Sequence, residues 1–193
     1  MRKILLVDDE SNVLELLSVA LEDEGYRILL ANNGREAIAQ VKKEEPQVVL
    51  LDIRMPDVDG VEVLRQIKEI NKATSVIMMT AYGAMDTVVE AMKLAAYDYF
   101  TKPLDLKKVK ILIRRALEAQ ELAQEVTSLR SKLKEKYQLE NIVGKHPKML
   151  EVYKMIGRVV DNKATVLIIG ETGTGKELVA RVIHFNGLLK DGP

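Results

Sequence analysis

Five polar residues stand at or just past the ends of apolar runs. Asp8 and Asp9 follow Ile4–Val7, Asp52 follows Val48–Leu51, and Thr80 follows Val76–Met79. Lys102 comes two residues after Tyr97–Phe100. Turns favour aspartate, so any one of these positions is ordinary by itself. In an open parallel sheet, however, ligands gather beyond the carboxyl ends of the strands, where the strand order reverses. If the first and third strands are neighbours, three carboxylates meet there with one hydroxyl and one ammonium. Carboxylates that close repel unless a cation neutralises them. Hard oxygen ligands with room for water suit Mg²⁺. The chemistry that fits is phosphoryl transfer onto a carboxylate, with Asp52 as the nucleophile. The metal and Lys102 would offset charge on the phosphoryl oxygens. The Thr80 hydroxyl would donate a hydrogen bond to the new group.

A second group carries different chemistry. Gly170, Glu171, Thr172, Gly173, Thr174, Gly175 and Lys176 read GETGTGK and fit the pattern GxxxxGK. They follow the apolar run Thr165–Ile169, which predicts a strand, and precede a helical pattern from Glu177. Strand, glycine loop and helix in that order form the context in which such a loop cradles phosphates. The glycines let backbone N–H groups approach the anion, and a helix N-terminus favours negative charge. Lys176 would reach the β- and γ-phosphates of ATP. Glu177 stands where a Ser or Thr ordinarily gives its hydroxyl to Mg²⁺.

The elements that hold these groups follow from periodicity. Ile4–Val7, Tyr26–Leu30, Val48–Leu51, Val76–Met79 and Tyr97–Phe100 predict five short strands. Apolar residues recur at helical spacing between them, as in Val13, Leu14, Leu17 and Leu21, or Val61, Leu64 and Ile67. Alternating strands and helices predict a parallel sheet covered on both faces. A longer helix starts near Asp105 and meets no Gly or Pro before Gly144. Val109, Leu112, Ala116, Ala119, Leu122, Val126, Leu129 and Leu133 repeat at three- and four-residue steps along it. That predicts a coiled-coil seam and a homodimer through residues 105–138. A loop follows at Asn141–Gly144, then a helical pattern through Met149, Val152, Met155 and Ile156.

Composition removes several classes of function. Of 193 residues, 47% are hydrophobic and 30% charged, with 29 Lys+Arg against 29 Asp+Glu. A neutral balance argues against a strongly basic nucleic-acid binder and against an acidic tail. Absence of cysteine excludes disulfides, thiolate zinc sites and cysteine nucleophiles. Two histidines, His146 and His184, are too few for a histidine-rich metal centre and read as surface or packing residues. The first apolar run is too short for a signal-peptide core, so a cytoplasmic location is expected.

Residues 3–118 resemble the receiver domain of bacterial two-component response regulators. The matching text is Lys3–Glu10 (KILLVDDE), Leu50–Gly60 (LLDIRMPDVDG), Met79–Ala81 (MTA) and Asp98–Pro103 (DYFTKP). The resemblance implies a flavodoxin-like α/β fold with strand order 2-1-3-4-5. It makes Asp52 the phosphoacceptor, Asp8 and Asp9 the metal-binding pair, and Arg54 the donor of a backbone carbonyl to the ion. Thr80 and Tyr99 match the switch pair, and Lys102 the phosphate-contacting lysine, followed by a bond to Pro103 that is usually cis. Tyr82 and Arg54 match positions that affect phosphoryl lifetime, and the face from Ala84 to Tyr99 reads as a signalling surface.

Asn141–Met149 and Gly170–His184 are similar to the start of the AAA+ module of sigma-54-dependent activators, in which Glu at the place of Glu177 is usual. Residues 139–193 are too few to complete that module, and no acidic Walker B strand, sensor, arginine finger or helix-turn-helix follows the loop. The expectation is a receiver at 1–118, a helical linker at 119–138 and an AAA+ fragment at 139–193 with exposed apolar surface. It would be a regulator rather than an enzyme, phosphorylated by a sensor histidine kinase. It would reach sigma-54 RNA polymerase and DNA only through parts absent from this sequence. An active ATPase, a bare dimerisation module and a doubly wound flavin binder are the rival readings.

Overall fold

The structure is a computed structural model, and it describes residues 1–56, 58–80, 85–136 and 146–188. The chain divides into two compact units, Met1–Ala123 and Gln124–Pro193.

The first unit is built on five parallel strands: β1 (Lys3–Val7), β2 (Arg27–Ala31), β3 (Val48–Asp52), β4 (Ser75–Thr80) and β5 (Asp98–Thr101). They lie in the order β2-β1-β3-β4-β5. All five fall where the apolar runs predict them. Helices α1 (Ser11–Glu22), α2 (Gly34–Glu44), α3 (Gly60–Ile70) and α4 (Met85–Lys93) alternate with them, and α5 (Leu106–Lys136) follows.

Successive side chains of a strand point to opposite faces, so a sheet buried on both faces needs apolar residues on both. Leu5, Val7, Val49, Leu51, Val76 and Met78 pack with Val63, Leu64 and Ile67 of α3 and Ala37 and Val41 of α2. Ile4, Leu6, Val48, Leu50, Ile77 and Met79 pack on the other face with Leu14, Leu17 and Leu21 of α1 and Val109, Ile113, Ala116 and Leu117 of α5. Asn33 caps α2 by accepting from the Glu36 amide at 2.9 Å, while the Glu36 carboxylate accepts from Asn32 N at 2.9 Å. The exchange satisfies two amides that the first helical turn leaves without partners.

One sequence expectation is corrected along α5. Val109 and Ala116 are buried against the sheet, and Leu112 packs partly against it, so they do not belong to a free seam. Leu122, Val126, Leu129 and Leu133 are exposed. At 100° per residue the two stripes face roughly 150° apart on the helix. Spacing alone merges them because each separately keeps three- and four-residue steps.

The sheet-facing stripe ends in a polar anchor. Gln120 Nε2 donates to Gln47 O at 2.7 Å, Ala73 O at 2.7 Å and Ser75 Oγ at 2.9 Å, at the amino ends of β3 and β4. Arg2 pairs with Glu121 beside it.

The second unit contains α6 (Pro147–Val159) and α7 (Lys176–Asn186). Ile156 and Val182 are its buried centre, with Val152, Tyr153, Val179 and Ile183 packed around them. His146 caps α6, its Nδ1 accepting from Lys148 N at 3.3 Å, and His184 stacks edge-on against Phe185. The strand expected at Thr165–Ile169 does not form. A strand needs a neighbour for its amides and carbonyls, and this stretch pairs with none among the described residues. Leu167 and Ile169 are 83% and 85% exposed. The expected loop at Asn141–Gly144, the signalling-face residue Ala84 and Tyr82 lie outside the described residues.

Candidate functional site

The acidic cluster is assembled by strand register. Val7 of β1 pairs with Leu51 of β3, so Asp8 and Asp52 emerge side by side at the carboxyl edge. Both strand ends are apolar and buried, which carries Asp8 and Asp52 inward with them, while Asp9 stays exposed. Carboxylate oxygens of Asp8, Asp9 and Asp52 lie within 4.8 Å of one another.

Lys102 reaches this cluster from the end of β5. Its backbone N donates to Thr80 O at 2.7 Å, and the bond to Pro103 is cis. The ammonium lies 2.6 Å from Asp52 Oδ2, 2.9 Å from Asp8 Oδ2 and 3.4 Å from Glu10 Oε1. Backbone donors take the remaining inner oxygens. Glu10 N donates to Asp8 Oδ1 at 2.9 Å, and Arg54 N donates to Asp52 Oδ1 at 3.2 Å.

The electrostatics follow from burial and crowding. Burial raises the Asp8 pKa above its ordinary value, and the Asp52 charge adds to the rise; the Glu10 amide and Lys102 oppose it. Burial alone would lower Lys102, but hydrogen bonds and charge from Asp52 and Asp8 outweigh it and hold the lysine above its ordinary value. Lys102 is thus locked in its charged form at neutral pH. Asp8 Oδ2 is buried without an aligned hydrogen bond, although the ammonium balances its charge. An unsatisfied buried oxygen in a group of three carboxylates is what a hard divalent ion would complete, so the residues fit Mg²⁺.

Two contributors are missing from the sequence reading. Glu10 joins the lysine's acidic partners, and its place directly after Asp8 and Asp9 is the signal that could have found it. Gly60 opens α3 against the strand that carries Asp52. A Cβ there would lie 2.2 Å from Asp52 O and 2.7 Å from Ile53 Cα. No other residue type lets the helix start so close, and Asp59 caps it by accepting from Val61 N at 2.8 Å. Thr80 is buried at the end of β4, paired in register with Thr101. Tyr99 lies on β5 opposite Met78 and is 37% exposed. The structure therefore gathers Asp8, Asp9, Asp52 and Lys102, joins Thr80 to them through Lys102, and leaves Tyr99 on the outer strand.

The glycine-rich loop is a separate site in the second unit. Gly173 and Gly175 have φ of +83° and +84°, the left-handed region that favours glycine. Thr174 Oγ1 and Lys176 Nζ donate to Glu171 O at 2.8 and 2.5 Å. Glu177 pairs with Arg181 one helical turn later, Nε donating at 3.0 Å. Thr172, Gly173, Gly175, Lys176 and Arg181 line a cavity of about 540 Å³ at the start of α7. A helix N-terminus with a lysine and open glycines fits a phosphate chain.

Residues 4–114 match the family model "Response regulator receiver domain", and residues 142–193 match "Sigma-54 interaction domain". Regulatory protein AtoC of Escherichia coli K12 is 41% identical over 191 residues, covering 99% of this chain and 41% of that protein. Transcriptional regulatory protein ZraR of the same strain is 39% identical, covering 98% and 42%. The chain thus spans about two-fifths of the length of these relatives. The crystal structure of NtrX from Brucella abortus in complex with ATP matches with a TM-score of 0.64 and 34% identity, covering 99% of this chain and 42% of that one. With the receiver match spanning more than half its length and the acidic cluster assembled at the carboxyl edge of a 2-1-3-4-5 sheet, the chain belongs to the response regulator receiver family, here joined to a stretch related to sigma-54-dependent activators.

Proposed function

We propose that this chain is the phosphoryl-accepting part of a two-component, sigma-54-dependent transcription activator, and that Asp52 is the acceptor. The observation that carries the reading is the Lys102 ammonium 2.6 Å from Asp52 Oδ2, inside a group of three carboxylates. A carboxylate oxygen of Asp52 attacks phosphorus and forms the new O–P bond. The donor's P–N bond breaks, and its electron pair leaves on the imidazole nitrogen of a sensor histidine kinase. Lys102, permanently charged, moves its hydrogen bonds to the phosphoryl oxygens. Asp8, Asp9, Asp52 and the backbone carbonyl of Arg54 would hold Mg²⁺, which supplies further positive charge beside those oxygens. Thr80 donates its hydroxyl to the new group, and the space it vacates receives the Tyr99 ring. The switch is a two-state equilibrium biased by one local charge.

The reading divides the chain into a receiver at 1–118, a helical linker at 119–138 and an AAA+ segment at 139–193. Gly170–Glu177 would hold the ATP phosphates, and the helix across 105–138 would join two copies. The same reading places the protein in the cytoplasm; none of the described helices is long and apolar enough to cross a membrane. Contact with RNA polymerase and DNA would belong to regions of the relatives beyond the stretch matched here. Asp52→Asn is expected to abolish phosphate incorporation from acetyl phosphate and Mg²⁺, followed by mass spectrometry of the intact protein. Incorporation at the wild-type rate would refute the assignment. ATP turnover by this chain above background would move the ATPase reading ahead of the purely regulatory one.

A further inference from the structure

We infer that the exposed face of α5 is a parallel two-stranded seam confined to Ala119–Leu133, with Glu125 of one copy paired to Arg130 of the other. The inference rests on the homodimer reading above and fixes its orientation, extent and register. The burial pattern sets the phase. Leu122, Val126, Leu129 and Leu133 stand exposed on the face turned away from the sheet, and Ala119 is exposed with them. Their spacing makes Ala119, Val126 and Leu133 the a positions of a heptad, and Leu122 and Leu129 the d positions. A β-branched residue at a with leucine at d, as at Val126 and Leu129, favours two parallel strands.

The phase also explains where the seam begins. One heptad step before Leu122, the d position is Arg115, and one before that is Lys108. Two copies aligned in parallel would set like charges face to face there. The zipper therefore starts at Ala119, just beyond the last buried turn of the receiver.

Flanking charges select the orientation. Glu125 takes a g position and Arg130 the e position five residues on, the two that meet across a parallel pair. Both are exposed, and neither has an ion pair among the described residues. Parallel alignment stacks Ala119, Leu122, Val126, Leu129 and Leu133 each on its own copy. Antiparallel alignment, with Leu122 on Leu133 and Val126 on Leu129, leaves Ala119 facing Lys136 and Arg130 facing Ala123. The parallel pair thus buries one more apolar layer and is the arrangement in which Arg130 finds an acid. Occupancy by a second copy follows from this self-complementarity: the face carries both the apolar repeat and the two charges that match it.

The test uses the whole chain and exploits its lack of cysteine. Leu122→Cys should form an intermolecular disulfide under mild oxidation, while Ser128→Cys, at an outward c position, should not. Sedimentation velocity over a concentration series should show self-association that weakens roughly fivefold or more in Glu125→Arg, where two arginines meet. The double variant Glu125→Arg/Arg130→Glu should restore it to within about twofold. A dimer that fails to cross-link at position 122, or a double variant no better than the single, overturns the parallel seam and leaves the homodimer standing. A monomer at every concentration overturns both.

Discussion

At the scale of single residues, the site is a contest for one oxygen. Asp8 Oδ2 is buried, raised in pKa by burial, and balanced only by an ammonium it shares with Asp52 and Glu10. A proton and a divalent ion compete for it. A carboxyl whose folded pKa lies above its unfolded value binds more protons in the folded state between those two values. Its contribution to stability therefore increases as pH falls through that window. Magnesium affinity moves oppositely, because each proton taken up by Asp8 removes a ligand. Titrating Mg²⁺ by calorimetry at successive pH values should show weakening binding on acidification toward the ordinary aspartate range, beginning above it. Affinity independent of pH there would contradict the burial argument. The acids were legible in the sequence because residues at strand ends share one edge whatever the loops do. Gly60 was not, since only the approach of its backbone to Asp52 O reveals why no side chain fits.

At the scale of elements, the joint between α4 and β5 is closed by an alanine with φ of +61°, Ala95. Ala96 N donates to Ala91 O at 3.0 Å and Ala95 N to Met92 O at 3.1 Å, so the turn is a helix C-cap usually built with glycine. Left-handed backbone strains alanine, whereas glycine adopts it freely but costs more chain entropy. Ala95→Gly should raise stability by about 0.5–1 kcal/mol, read as a higher urea midpoint at unchanged slope. The five strands could be read directly because both faces of the sheet are buried, leaving continuous apolar runs between turns. α5 could not. Its apolar residues announce a helix, but only the packing of Val109 and Ala116 separates the stripe that meets the sheet from the one that does not. Thr165–Ile169 shows the same limit: its residues favour a strand, and a strand is a property of two neighbours.

At the scale of the whole molecule, the two units differ in how much apolar surface they enclose. The first has a packed layer on each face of its sheet, and the second centres on Ile156 and Val182. Opening free energy tracks such burial. Hydrogen exchange should find the amides of β1, β3 and β4 protected near the level of global unfolding. Those of Thr165–Ile169 should exchange at close to unfolded rates. Protection of that stretch comparable to β4 would mean that it finds a pairing partner in solution.

The amide of Gln120 gives the receiver a mechanical property. It rivets the helix to the bases of the two strands whose far ends hold Asp52 and Thr80. From that rivet α5 runs on to Lys136, a rod of roughly 24 Å. A shear between the two strands tilting its root by about 5° would swing the rod's tip by roughly 2 Å, on the order of a hydrogen bond's length. The helix is then a lever with its fulcrum at Gln120, and a shortened side chain there would loosen the pivot while leaving the phosphoryl chemistry untouched.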